Sequence, residues 1–249
     1  MVVKRDDIVK FLNNELKVKQ IKDSSKNGLQ LKGNIEVKKI AFAVDAGIEV
    51  FEKAKKQGCD MLIVHHGIKW RPQKKDISKR LNYLKINKLS LYASHLPLDS
   101  HNKYGNNIQL CNIFDLTNIK KFGEYHGVFI GYQGTLNKTK SITEISKILN
   151  TKLKTKSTIC DFGKKEIKTI AIVSGGGISA LDEAIKKKID LFITGETSHS
   201  SYHYIKEAKI NVIFAGHYAT ETVGVKALMP ILKNKFNVET IFIDVPTKM

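Results

Sequence analysis

Asp60-Met61-Leu62-Ile63-Val64-His65-His66-Gly67 is the stretch that settles the reading of this chain. Four consecutive apolar residues, too few for a membrane span, run straight into two histidines and a glycine. A short, continuous apolar run is the mark of a strand buried on both faces, as in a parallel sheet. In open α/β sheets, ligands gather just beyond the carboxyl ends of such strands. Two imidazoles in that position therefore call for a chemical reason.

Outward from there, strand and helix alternate. The pattern predicts a strand over 39–44 ended by a turn at 45–47, helices over 48–56 and 78–87, a strand over 90–93, and a loop over 95–101. Upstream, Asp6 reads as the cap of a helix to Leu16, with Ile8, Val9, Leu12 and Leu16 on one face. A helix follows over 106–114, a strand over 126–133 and a helix over 142–149. The first pattern then returns: strand 169–173, glycine turn 175–177, helix 178–187, strand 191–194, helix 201–209 and strand 211–215. A loop opened by His217, a helix over 221–232 and a strand over 239–243 complete it. Strands alternating with helices place the chain in the α/β class.

The return is a repeat. Asp60-Met-Leu-Ile63 falls on Asp190-Leu-Phe-Ile193, and Ile40–Ala41 falls on Ile170–Ala171, which sets His65–His66 on Gly195–Glu196. Leu91-Tyr-Ala-Ser-His95 falls on Ile213-Phe-Ala-Gly-His217, and in both the histidine is followed four residues on by a carboxylate, Asp99 or Glu221. Apolar matches between strands say little; the shared His-x-x-x-carboxylate says more. The expectation is an internally duplicated α/β protein of two similar halves, 1–122 and 123–249, with no flexible linker between them.

Composition sets the outer limits. With 249 residues, 42% hydrophobic and 27% charged, the chain has ordinary globular usage and ample core. The segment 1–7 is charged and lacks the apolar stretch of a signal peptide, so a cytoplasmic protein with no membrane partner is expected. Cys59, Cys111 and Cys160 are widely spaced and read as reduced, buried thiols. The net charge of +18 is almost all lysine, with Arg5, Arg71 and Arg80 the only arginines. Such a field attracts anions, but the scarcity of arginine argues against specific base readout. The pairs Lys55–Lys56, Lys74–Lys75, Lys120–Lys121 and Lys164–Lys165 and the run 186–188 are scattered, as a solvated surface would have them.

Three polar clusters stand at strand ends: His65 with His66, His95 with Asp99, and His217 with Glu221. Neutral imidazole and carboxylate together suit zinc, iron, manganese or nickel, and donor chemistry alone does not choose among them. Each cluster has a bland reading: a surface histidine pair, a histidine that merely orients a neighbour, a glutamate placed to suit a helix dipole. Four imidazoles and two carboxylates at equivalent strand ends favour a metal site between the halves. His95, His101, Glu196, His199 and His203 are candidates for outer contacts or acid–base work, with Glu196, His95 and His199 the catalytic candidates. The turn Val173-Ser-Gly-Gly-Gly-Ile178 lacks the lysine and hydroxyl of a P-loop, so no organic cofactor is expected there.

Val64-His-His-Gly-Ile68, Ser94-His-Leu-Pro-Leu-Asp-Ser-His101, Gly105-Asn-Asn107 and Gly216-His-Tyr-Ala-Thr-Glu221 together resemble the Nif-three-like family, whose members carry the name GTP cyclohydrolase 1 type 2 homologue. The resemblance covers residues 6–245, without the large insertion between halves that some relatives carry. It implies two intertwined α/β halves, a homohexamer around an internal cavity, and two divalent cations per chain. The ligand set it implies is His65, His66, Asp99, His217 and Glu221. It further implies a metal-dependent hydrolase that opens the imidazole ring of GTP with loss of formate, although another nucleotide, phosphate ester or amide would suit the same donors. Two other readings stay open: a hexameric module that binds DNA or RNA nonspecifically or engages a transcription regulator, and a metal carrier without catalysis.

Overall fold

Strands that are apolar on both faces need cover on both sides, and the chain supplies it in two separate sheets. The computed structural model describes residues 2–73 and 76–247, so the pair Lys74–Lys75 lies outside the described residues. The chain packs as two compact units, one formed by the residues up to Tyr104 with Gly224–Val245, the other by Gly105–Val223. The sequence halves 1–122 and 123–249 follow the repeat, whereas these units follow packing.

In chain order the first unit contributes β1 (Val3–Lys4), α1 (Arg5–Glu15), β2 (Gly28–Leu31), β3 (Glu36–Val37), β4 (Lys39–Asp45), α2 (Ile48–Lys56), β5 (Met61–His66), α3 (Ser78–Ile86), β6 (Ser90–Ala93) and α4 (Leu96–Asp99). The second contributes α5 (Asn106–Ile113), β7 (Thr117–Tyr125), β8 (Val128–Lys140), α6 (Ile142–Leu153), β9 (Thr158–Cys160), β10 (Ile167–Val173), α7 (Leu181–Lys186), β11 (Leu191–Thr194), α8 (Tyr202–Glu207) and β12 (Asn211–Phe214). Helix α9 (His217–Phe236) starts in the second unit and ends in the first, where β13 (Glu239–Phe242) closes the described elements.

The first unit's main sheet runs β13-β4-β5-β6-β2, with β13, β4, β5 and β6 parallel and β2 antiparallel on β6. Its alternation is read directly from the core. Ala41, Ala43, Leu62, Val64, Leu91 and Ala93 face one side with Phe51, Ala54 and Leu84. Phe42, Ile63 and Tyr92 take the other side and are also fully buried. The second unit's sheet runs β7-β8-β10-β11-β12-β9, with β10, β11 and β12 parallel and β9 antiparallel on β12. Ile170, Ile172, Leu191, Ile193 and Ile213 pack on one face. Ala171, Val173, Phe192, Val212 and Phe214 pack on the other.

A further feature occurs in both units. The Asp60 carboxylate, just before β5, accepts from the backbone N–H groups of Lys38 (2.8 Å) and Lys39 (3.2 Å) at the start of β4. Asp190, just before β11, accepts from those of Lys168 (3.1 Å) and Thr169 (2.9 Å) near the start of β10. Each carboxylate ties the first parallel strand to the turn that enters the next.

Several boundaries depart from expectation. Asp6 is not a cap; α1 begins at Arg5, whose guanidinium binds the Asp6 carboxylate at 2.9 Å from within the first turn. The expected loop over 95–101 contains one helical turn, α4, with Pro97 at its start, where a missing N–H costs nothing. The expected strand over 126–133 is half of a hairpin whose turn holds His126 at φ 49° and Gly127 at φ 80°. Helix α9 begins at His217 itself, not at Glu221. Cys59, Cys111 and Cys160 are free and buried, and burial pushes the Cys111 thiol up to about 12, far from reactivity at neutral pH. No helix among the described residues is long and apolar enough to cross a membrane.

Candidate metal centre

In the first unit, the ends of β4, β5 and β6 bring their polar residues side by side, because Asp45 pairs with His66 and Val64 with Ala93 in register. His65 is fully buried, and its Nδ1–H donates to the Ser94 carbonyl at 3.0 Å. A carbonyl only accepts, so Nδ1 carries a proton. Nε2 faces Oδ2 of Asp99, from α4, at 3.5 Å. His66 donates from Nδ1 to Oδ1 of Asp45 at 2.8 Å, an arrangement that fixes ring and tautomer as it does for metal-bound imidazoles.

His95 lies beside them, its ring 5.1 Å from that of His65 and 5.6 Å from that of His66. Its Nδ1 meets both oxygens of Asp23 at 3.1 Å. Asp23 also accepts from the backbone N–H groups of Ser25 and Leu96 and from the amide of Asn27. Burial pushes its carboxyl up, but the His95 hydrogen bond and charge and the other donors outweigh that and hold it at about 2. Trp70, the only tryptophan of the chain, stands edge-on to His95 at 5.1 Å. Its Nε1–H is taken by the Gly67 carbonyl at 2.9 Å.

In the second unit, β10, β11 and β12 end in Gly175, Gly195–Glu196 and Gly216–His217. The N–H groups of Gly195 and Glu196 both donate to the Gly175 carbonyl at 3.0 Å, which draws the strand ends together. Starting α9 at His217 puts His217 and Glu221 one turn apart on one face. His217 Nε2 lies 3.1 Å from Oε2 of Glu221, and Nδ1 lies 2.6 Å from Oε1 of Glu196. Gly175 is required here. Its φ is +61°, and a Cβ would meet the Glu221 carboxylate and come to 3.0 Å from His217 Nε2. Burial alone would lower the His217 pKa; the flanking Glu221 and Glu196 outweigh it and raise it to about 9. The pocket therefore favours a positive charge between its carboxylates.

Among the described residues, His65, His66 and His95 of the first unit form a group that could hold a metal ion. Oriented imidazole nitrogens face carboxylate oxygens, and the second unit keeps a glycine where any side chain would fill the space. The remaining rim candidates are placed otherwise. His101 donates from Nε2 to the Glu15 carbonyl at 3.1 Å, accepts two backbone N–H groups on Nδ1, and so stitches a loop. His199 and His203 are exposed near the start of α8, and His203 stands edge-on to Tyr202. Two further carboxylates, Asp23 and Asp45, have no sequence spacing that ties them to the histidines. Asp45 alone left a trace, as an acid at a strand's carboxyl end.

Comparison with known proteins agrees with this architecture. Residues 3–248 match the model of the family Duf34/NIF3 (NGG1p interacting factor 3). A protein of Pyrococcus horikoshii named GTP cyclohydrolase 1 type 2 homolog is 50% identical over 98% of both chains. A protein of the same name from Archaeoglobus fulgidus is 42% identical, again over 98% of each. Among solved structures, TTHA1606 from Thermus thermophilus superposes with a TM-score of 0.91 at 36% identity, over 99% of this chain and 100% of that one. Reduced HcgD from Methanocaldococcus jannaschii gives 0.86 at 26% identity, over 98% and 99%. The chain belongs to the Duf34/NIF3 family.

Proposed function

We propose that this chain is a divalent-metal hydrolase in which His65, His66, Asp99, His217 and Glu221 together hold two cations. The observation that carries the reading is the gathering of imidazole nitrogens and carboxylate oxygens: His65 Nε2 lies 3.5 Å from the Asp99 carboxylate, and His217 Nε2 lies 3.1 Å from that of Glu221. Mixed imidazole and carboxylate donors suit a divalent cation. The internal duplication belongs to the same reading. It is supported by the matching carboxylate clamps of Asp60 and Asp190 and by the recurrence of three parallel strands flanked by an antiparallel one.

Two divalent cations supply Lewis acidity toward water and toward the bond to be broken. The protein's own groups supply orientation and proton handling. Asp45 and Glu196 fix the His66 and His217 rings, and Glu196, with its second oxygen turned toward the Gly176 turn, is the group placed to carry a proton. The name borne by the relatives suggests GTP as substrate. Water would add to the imidazole ring carbon, the ring C–N bond would open to a formamide, and a second water would release formate. The net charge of +18 suits a triphosphate. The same charge is what favours the second reading, nonspecific binding of DNA or RNA, which salt would weaken steeply. The reading includes a homohexamer.

Elemental analysis of the purified chain, followed by a nucleotide screen with the identified metal restored, tests the proposal. His65→Ala and Glu221→Ala should each lose most bound metal while keeping the wild-type circular dichroism. Full metal content in both would reject the assignment. Metal-loaded protein that releases no formate from GTP and turns over no other nucleotide would hand the site to the binding or carrier readings.

A further inference from the structure

The geometry points to one edge of the second unit's sheet, where β10, β11 and β12 begin, together with the adjoining face of α8, as a binding surface for single-stranded nucleic acid. It does not depend on the metal reading, since Glu196 and His217 follow the opposite ends of β11 and β12.

Parallel strands joined by helices bring the helix C-termini to the edge where the strands start. In this unit that edge collects lysines which the sequence scatters. Lys186, Lys187 and Lys188 lie at the end of α7 and in the turn beyond it, Lys206 and Lys209 at the end of α8 and just past it, and Lys168 at the start of β10. All are exposed. The loop from β9 to β10 crosses the same edge. Asn211 pins it, accepting from the Gly163 N–H at 2.8 Å and donating to the Lys164 carbonyl at 2.7 Å. Lys164 and Lys165 stand on that loop with side chains 73% and 84% exposed. The acids of the edge, Asp161, Glu166, Asp190 and Glu207, leave a clear excess of positive charge.

Two of these lysines occupy positions that favour glycine. Lys188 and Lys209 follow their helices at φ 54° and 52°. The turn after α2, which leads into Asp60 as the turn after α7 leads into Asp190, uses Gly58 at φ 71° with the same backbone hydrogen bonds. A side chain there carries strain that glycine avoids, and Lys186 and Lys187 already serve the helix dipole. Charge is kept at this edge at a backbone cost.

Charge alone would suit any polyanion; the aromatic surface beside it selects an unpaired strand. Tyr202, 42% exposed, stands edge-on to Phe162 at 5.6 Å. Lys206, one turn further along α8, lies over the Phe162 ring at 6.0 Å. A duplex hides the faces of its bases, whereas a single strand offers them for stacking while its phosphates follow the lysines. Such binding reads no base edges, so the scarcity of arginine does not oppose it.

The probe is a fluorescein-labelled oligouridylate of about 15 nucleotides, titrated with the full-length chain and followed by anisotropy across about 50–200 mM salt. Lys188→Gly with Lys209→Gly should weaken binding several-fold and lower the log–log salt slope by about 1.4, two contacts at about 0.7 each, with melting temperature close to wild type because glycine suits both turns. Lys154→Gly removes a lysine of the same conformation, φ 53°, from the C-cap of α6 near the opposite edge, and should leave binding and slope unchanged. Tyr202→Ala should cost about fivefold or more on the oligouridylate with the slope kept, and nothing on a duplex of equal length. Metal content, measured on the same variants, should not move, so loss of this surface and loss of the metal reading are told apart. No binding by the wild type at the lowest salt, or an equal loss in Lys154→Gly, would overturn the surface. Wild-type affinity in Tyr202→Ala would overturn the single-strand assignment in favour of a general polyanion surface. Binding to phosphatidylserine vesicles but not to the oligouridylate would overturn it in favour of a membrane.

Discussion

Asp23 is a carboxylate withdrawn from water that stays charged only through its donors. Its ordinary pKa of 3.8 falls to about 2 in the fold, because the hydrogen bonds and the His95 charge outweigh burial. A pKa lower in the folded than in the unfolded state adds stability that is present above the unfolded value and lost as pH falls through the folded one. The metal-free chain should therefore lose melting temperature between about pH 4 and pH 2. In Asp23→Asn the starting value should be lower and the fall over that window shallower. Circular dichroism melts across the range check this, and parallel slopes for the two proteins would remove Asp23 from the account. At this scale the sequence made the histidines legible, because adjacent imidazoles at the end of an apolar strand have few structural uses. Their anchors were not legible. Asp23 lies 72 positions from His95, and only the folded chain brings the two together. Glu196, read as a proton carrier, also lies 2.6 Å from Nδ1 of His217, a neighbour that the sequence spacing does not reveal.

Elements whose burial leaves an even pattern were the easiest to read. Strands β5, β6 and β11 and helix α2 carry continuous or periodic apolar residues, so local chemistry and tertiary demand agree. The antiparallel edges β2, β9 and β7 were missed for a common reason. Two are four residues or fewer, and most of β7 is exposed, so none shows a clear period. The start of α9 was misplaced because a histidine after a glycine looks like loop, whereas Gly216, at φ +89°, makes the turn and lets His217 begin the helix. The clamp carboxylates yield a prediction for the elements they join. Asp190→Ala leaves the N–H groups of Lys168 and Thr169 and the Thr169 hydroxyl without their acceptor. Its cost should be about 3 kcal/mol in urea unfolding, with the exposed Lys164 contributing little of that. Asp60→Ala, which removes the same pair of contacts from β4, should act in the same direction. A change under about 0.5 kcal/mol at Asp190 would mean that water replaces the clamp without loss.

For the whole molecule, the α/β class and the family were legible, while the packing units were not, since a repeat in sequence says nothing of where a helix crosses from one unit to another. Self-association is part of the proposed reading. Its support on the surface is the β7–β8 hairpin, where Ile119, Tyr125 and Phe129 are exposed on and beside an edge strand. Light scattering at micromolar concentration should give about six times the chain mass of 28.0 kDa; a value of 28.0 kDa would reject the hexamer.

The pairing of Glu239 with Lys39 has a consequence for synthesis on the ribosome. Strand β4 is made early, yet the strand that covers its outer edge follows about 200 residues later. At about 5–20 residues per second, the nascent chain waits roughly 10–40 s with that edge open. During that interval the backbone N–H and C=O groups of a buried, apolar strand have no neighbour on one side, the condition in which one growing chain can pair with another. The second unit's sheet draws all its strands from residues 117–214, so it can close while the first still waits. A cell making this protein rapidly would therefore need a chaperone most in the interval between the emergence of β4 and that of β13.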